Sequence, residues 1–263
     1  MPPLSHSGGN GPTPGASRIV VETRTDRGHV RKVNEDRVAA DAPAGLLVVA
    51  DGMGGHRGGD VASELATQTI VESLTASDGV GSGEERLRAA IGDAQRVVID
   101  GGQRLPHLFG MATTVVVALL RDGRLDLAHV GDSRAYRFST GGLERLTRDH
   151  SLVEELVASG MFASVEEAED AGVPPSVLVR GLGLEAEAAE PDWREVDLAV
   201  GDIVLLCTDG LTSMVDDRML AGVLGDPDLS LAEQADRLVA LALDNGGMDN
   251  VTLALARVEP PGS

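Results

Sequence analysis

The chain has 263 residues, 42% of them apolar and 24% charged, a globular balance with apolar side chains enough for a sizeable core. Aromatics make up only 2%, so that core must be Val, Leu, Ala and Ile. Twenty-two Lys and Arg against 42 Asp and Glu leave a formal charge of −20. That sign excludes a general nucleic-acid binder, which needs clustered cations, and argues against docking on anionic lipid. It leaves carboxylates to spare for holding metal.

No apolar run reaches the roughly 18–20 residues of a membrane span. The opening Met1-Pro2-Pro3-Leu4-Ser5-His6 lacks the basic and apolar regions of a signal peptide. The single cysteine, Cys207, lies in the apolar run 203–207 and reads as a small buried hydrophobe. The expectation is a cytoplasmic protein with no membrane insertion and no nucleic-acid partner.

In chain order, residues 1–17 are rich in Pro, Gly and Ser and read as a disordered tail. A β-rich run opens at Arg18, and 45–50 is a continuous apolar run expected as a buried strand. Val61, Leu65, Ile70, Val71 and Leu74 fall at helical spacing, and a second helix is expected over 84–99. Runs 113–120 and 125–130 flank Asp122-Gly123, a hairpin signal because both turn positions favour positive φ. Ala135–Phe138 and the Gly141-Gly142 turn continue the meander. Ser151-Leu152-Val153-Glu154 reads as a capping box, with Gly160 ending that helix. A buried strand over 203–208, a helix over 229–243 and an alternating strand over 251–256 complete the pattern. Helices inserted between groups of antiparallel strands predict an α+β layered fold.

The aspartates fall where these strands end. Asp51 and Asp209 each follow a buried run and precede Gly, Asp132 follows Gly131 after the run 125–130, Asp249 and Asn250 precede the last strand, and Asp36 leads into Arg37-Val38-Ala39. Asp-Gly alone is an ordinary turn. Five carboxylates at strand ends together point to a shared oxygen-ligand site for Mg²⁺ or Mn²⁺, and so to a hydrolase using divalent metals. Asp149-His150-Ser151 is no triad, since three adjacent residues cannot line up, and the glycines of 52–59 match neither a Walker loop nor G-x-G-x-x-G.

Seven blocks then resemble, in order, the motifs of the bacterial metal-dependent Ser/Thr protein phosphatases of the PP2C (PPM) family. They are Arg31–Asp36, Asp51–His56, Met111–Thr114, Gly131–Tyr136, Leu178–Gly183, Asp209-Gly210-Leu211 and Asp249–Thr252. The resemblance implies an α-β-β-α sandwich over 18–258, two packed antiparallel sheets with helices on both outer faces, with 151–180 as a flap and 259–263 as a tail. It implies hydrolysis of phosphoserine and phosphothreonine in proteins by in-line attack of a metal-bridging hydroxide, opposing a Ser/Thr kinase. By the same resemblance, Asp51 bridges two Mn²⁺ or Mg²⁺ ions and Gly52 offers its carbonyl. Asp209 and Asp249 hold the first metal, Glu35 and Asp36 the second largely through water, and Asp132 with Asp209 a third, weaker one. Arg31 grips the substrate phosphate, in keeping with the guanidinium fork.

His56 is either the acid for the leaving alkoxide or structural; family members with His directly after Asp-Gly differ from this chain, where three residues intervene. His129 reads as a sheet residue and Arg180 as structural at the flap base. Ala112, Val179 and Gly181 depart from the family's Gly, Thr and Ala and bear on packing rather than ligation. Phosphoproteins, among them a Ser/Thr kinase, are the expected partners, and a monomer the expected state. The rival readings are a non-catalytic metal-binding regulatory module, a phosphatase of a sigma-factor regulatory protein and a metallo-hydrolase of small phosphate esters.

Overall fold

In a computed structural model, residues 18–53, 58–76, 81–184 and 189–261 are described. The expected tail over 1–17 and His56 lie outside these residues. Eleven strands are found among them: β1 (Arg18–Asp26), β2 (Asp36–Asp41), β3 (Leu46–Met53), β4 (Ala112–Thr113), β5 (Val115–Arg121), β6 (Arg124–Val130), β7 (Arg134–Ser139), β8 (Gly142–Arg145), β9 (Asp192–Asp197), β10 (Ile203–Cys207) and β11 (Val251–Glu259). The helices are α1 (Gly59–Ala76), α2 (Gly83–Arg104), α3 (Leu152–Ala158), α4 (Val165–Asp170), the single turn α5 (Asp209–Thr212), α6 (Asp217–Leu224) and α7 (Leu231–Asp244), with a 3₁₀ turn over Pro106–Leu108.

Two antiparallel sheets result, one in the order β1-β11-β10-β7-β8 and the other in the order β2-β3-β5-β6-β9, with β4 paired to β3. Period-2 alternation gives every central strand two apolar faces, and these build three core layers. Leu47, Val49, Val116, Val204, Leu206, Ala254 and Ala256 pack between the sheets. Leu46, Val48 and Val117 face Ala66, Ile70, Leu87 and Ile91 of α1 and α2. Leu205, Leu253 and Leu255 face Leu220, Leu231 and Leu238 of α6 and α7. The expected four-layer α-β-β-α sandwich is present.

Local signals explain the boundaries. Ser82 and Ser230 each close a reciprocal capping box, opening α2 and α7. Ser151 caps α3 by accepting from the Glu154 N–H, and Gly160 ends it at φ +77°. Asp122 and Gly123 both take positive φ, 51° and 75°, as the two-residue hairpin between β5 and β6 demands. Strand β9 and helix α6 were not expected. Trp193 and Val196 in β9 alternate with charged residues, which hid the strand, although it completes the sheet against β6.

Candidate active site

The site forms where the inter-sheet core changes character along its own strands. Thr252 continues the inward face of Ala254 and Ala256, and Thr208 that of Val204 and Leu206. Buried apolar side chains thus give way to hydroxyls: Thr25 and Thr252 are hydrogen-bonded at 2.8 Å, and the Thr208 hydroxyl donates to Asp36 Oδ2 at 2.9 Å. One step further out lie the carboxylates. The register of β2 against β3 sets Asp36 directly opposite Asp51, on the face that carries Val38, Val49 and Leu47 inward. Like charges directly opposite on neighbouring strands repel.

Asp51 and Gly52 were expected just beyond the strand; they lie inside β3, which continues to Met53 by pairing Gly52 and Met53 with Thr113 and Ala112. The Asp51 backbone is held closely. Its N–H donates to Thr114 Oγ1 at 3.0 Å, and its carbonyl accepts from the Thr114 N–H and the Thr113 hydroxyl, each at 2.8 Å. Thr114 in turn bonds Ser133 at 2.7 Å, beside Asp132. The Gly52 N–H donates to the Glu35 carbonyl, and a Cβ at Gly52 would lie 2.1 Å from the Gly59 carbonyl oxygen. Only glycine lets β3 pass so close to the start of α1.

The electrostatics tie the predicted residues into one cluster. Burial pushes the Asp36 carboxyl up to about 7, with Asp209 and Asp249 adding to the shift. Burial also raises Asp51 well above the carboxylate range, reinforced by Asp36, Asp209 and Asp132. Asp132 rises to about 7 through burial and the charges of Asp209 and Asp149, and burial raises Asp209. At the rim, Arg31 Nη2 lies 2.5 Å from Asp249 Oδ2 and feels the charges of Asp51 and Glu35.

These residues fit hard divalent cations. The donors are all oxygen, four clustered carboxyls are forced toward protonation where no cation neutralises them, and Asp36 Oδ1 is buried without a hydrogen-bond partner. Such an oxygen costs free energy until something binds it. Arg31, Glu35, Asp36, Asp51, Gly52, Asp132, Asp209 and Asp249 are therefore brought together, whereas His56 lies outside the described residues.

Other singled-out residues take supporting places. Buried His129 stacks on His150 with ring centroids 4.5 Å apart. His150 accepts the Gly131 N–H at Nδ1 (3.1 Å), so its Nε2 carries the proton and faces Asp192 at 3.3 Å. Arg180 reaches the same Asp192 at 2.8 Å. Although His129, His150 and Asp192 converge, the fixed His150 tautomer and the Arg180 cation make them a structural clasp rather than a metal site. The space that the family's Ala would fill at Gly181 is taken by the Met53 methyl, 2.8 Å from where a Cβ would be. Sequence reasoning assigned no role to Thr114, Thr208 and Asn250, each of which borders a buried strand; the available signals were that position and, for Thr114 and Asn250, their place in two of the motif blocks.

Comparison with known proteins shows the family and the fold. The family model described as protein phosphatase 2C matches residues 25–241, and the chain belongs to that family. It is 38% identical over 244 residues to the serine/threonine phosphatase stp of Listeria welshimeri, covering 89% of this chain and 94% of that protein. It is 38% identical over 235 residues to the serine/threonine protein phosphatase PstP of Mycobacterium tuberculosis, covering 89% of this chain and 44% of PstP. The crystal structure of that phosphatase superimposes with a TM-score of 0.83 over 92% of this chain and 99% of the solved chain, at 38% identity. The PstP catalytic domain solved in complex with two manganese ions matches with a TM-score of 0.80 at 37% identity, covering 92% and 99% of the two chains.

Proposed function

We propose that the chain is a metal-dependent phosphoserine/phosphothreonine protein phosphatase. The observation that carries the reading is the Asp36–Asp51–Asp209 cluster with its unpartnered buried oxygen, set in a family whose members named above are Ser/Thr phosphatases. Asp51, Asp209 and Asp249 would hold one cation, Asp51 with Glu35 and Asp36 a second, and Asp132 with Asp209 a third. Bound there, Mn²⁺ or Mg²⁺ lowers the pKa of water and offsets phosphate charge.

The chain's own part is positional. Thr113 and Thr114 fix the Asp51 backbone, Thr208 orients Asp36, and Arg31 exchanges Asp249 for two phosphate oxygens of the substrate. His56 is the candidate to protonate the leaving alkoxide. The flap over 151–180 is proposed to contact the protein substrate: replacing it should alter preference among phosphoproteins and spare turnover of a small aryl phosphate, and equal losses on both would refute this role.

Among the described residues no helix is long and apolar enough to cross a membrane. We place the enzyme in the cytoplasm, where a free, buried Cys207 thiol suits a reducing compartment, and assign it to reversing a Ser/Thr kinase. A monomer accords with self-repulsion at a charge of −20.

The deciding experiment is hydrolysis of a phosphothreonine peptide with Mn²⁺, with EDTA, and by Asp249→Ala. Turnover should need the metal and fall at least ~100-fold in the variant. A folded, Mn²⁺-binding protein without turnover would support the regulatory-module reading instead.

A further inference from the structure

Arg31 sits in a segment, 27–35, that has neither helix nor strand. Val30, Arg31, Lys32 and Val33 are all exposed, so core packing does not place the guanidinium. One side chain closes the segment from beneath. Asn250, 4% exposed, donates through Nδ2 to the Arg27 carbonyl at 2.9 Å and to the Val33 carbonyl at 3.0 Å, and its Oδ1 accepts the Glu35 N–H at 2.8 Å. Both carboxamide protons and the carbonyl are thereby used, on three backbone groups that bracket Arg31.

The backbone around it is equally constrained. The His29 N–H donates to the Gly247 carbonyl at 2.8 Å, and a Cβ at Gly28 would lie 2.1 Å from the Asp249 carbonyl oxygen. The segment therefore lies directly against 247–250. The Asn250 N–H also donates to Asp249 Oδ1 at 2.8 Å, while Asp249 Oδ2 receives Arg31. The buried carboxamide thus ties both ends of the span from Arg27 to Val33 to the residue next to the carboxylate that Arg31 touches, while within the span the Arg27 guanidinium donates to the Arg31 carbonyl.

We infer that Asn250 is the positioning residue of the phosphate clamp: it fixes the loop that delivers Arg31, and it acts on the substrate phosphate only through that arginine. The inference rests on the proposed reading of Arg31. Asp lacks the donors, Ala offers nothing, and Gln carries the same carboxamide one methylene further out.

The test is a double-mutant cycle of Asn250→Ala with Arg31→Ala, read as KM for a phosphothreonine peptide and as product inhibition by inorganic phosphate. Asn250→Ala alone should raise both constants about 10-fold, and in the Arg31→Ala background it should change them less than about 2-fold, because the partner through which it acts is gone. Half-saturating Mn²⁺ should move less than about 3-fold in Asn250→Ala. Equal, additive losses in the two backgrounds would overturn the inference while leaving the clamp intact, and so would a large change confined to Mn²⁺ affinity. If Arg31→Ala itself leaves phosphate inhibition unchanged, the clamp reading fails and this inference with it. Should Asn250→Ala not fold, Asn250→Asp, which keeps the acceptor for Glu35 and loses both donors, enters the same cycle with the same expectations.

Discussion

Aspartate 51 shows how a single residue is held in an unfavourable state for a purpose. It is buried among Asp36, Asp132 and Asp209, and its backbone is fixed by three hydrogen bonds, so it cannot turn away from the repulsion. Removing the charge should therefore stabilise the metal-free fold and destroy the function. Asp51→Asn is expected to raise the melting temperature in EDTA by about 2–4 °C, the shift that ~1 kcal/mol produces in a domain of this size. It should also cancel the further rise on adding Mn²⁺ and lower turnover at least ~100-fold. An unchanged Mn²⁺ response would show that Asp51 is no ligand. His150 makes the complementary point. Burial, with His129 and Arg180 beside it, lowers it to about 4, so it is neutral at pH 7 and serves as a fixed donor and acceptor.

At the scale of elements, the glycine contacts are the sharpest constraint. Strand β3 and the first turn of α1 cross with no room for a side chain at residue 52. Neither element can retreat, because Leu46, Val48, Ala62 and Ala66 pack in the same core layer. Gly52→Ala should cost about 2–3 kcal/mol, within the range for overpacking, seen as a lower denaturation midpoint in urea. It should also reduce Mn²⁺ affinity by displacing Asp51. A variant as stable as the parent would mean that the crossing relaxes. The segment 151–180 is tied at its two ends: the Val179 N–H donates to the His150 carbonyl and the Leu152 N–H to the Val177 carbonyl. Its ends are thus closed beside Gly131, while its middle carries an exposed Met161.

For the whole molecule the pH dependence follows from two opposing sets of groups. Asp36 and Asp132, raised to about 7, hold more protons folded than unfolded between about pH 4 and 7, so metal-free stability falls as pH rises through that window, and Asp51 and Asp209, raised in the same direction, act with them. His150, lowered to about 4, binds protons better when unfolded and opposes the trend between about pH 4 and 6.5, and His129, lowered as well, acts in the same sense. Four carboxyls outweigh two imidazoles, and self-repulsion at −20 adds to them. The melting temperature in EDTA should therefore decline from pH 5.5 to 8, and the rise on adding Mn²⁺ should be larger at pH 8, where protons no longer compete for the carboxylates. A flat EDTA profile, or a larger Mn²⁺ effect at pH 5.5, would contradict this.

The amino-acid chain read alone marks out the strands with uninterrupted apolar runs, the capped helices, the Asp122-Gly123 hairpin and the ordered acidic motifs. Each of these is local: a period, a cap or a turn leaves its trace within a few residues. It left β9 unseen, because an edge strand with one charged face carries little apolar signal. It also left Thr208, Thr114 and Asn250 without roles, because their partners lie 172, 63 and 215–223 residues away. It takes the packed fold to set Asp36 opposite Asp51, to grade one end of the inter-sheet core from Val and Leu through threonine to carboxylate, and to bring an asparagine at the last strand's threshold under the loop of an arginine near the first. Register and burial decide those pairings, and both come into being only when the two sheets close on each other.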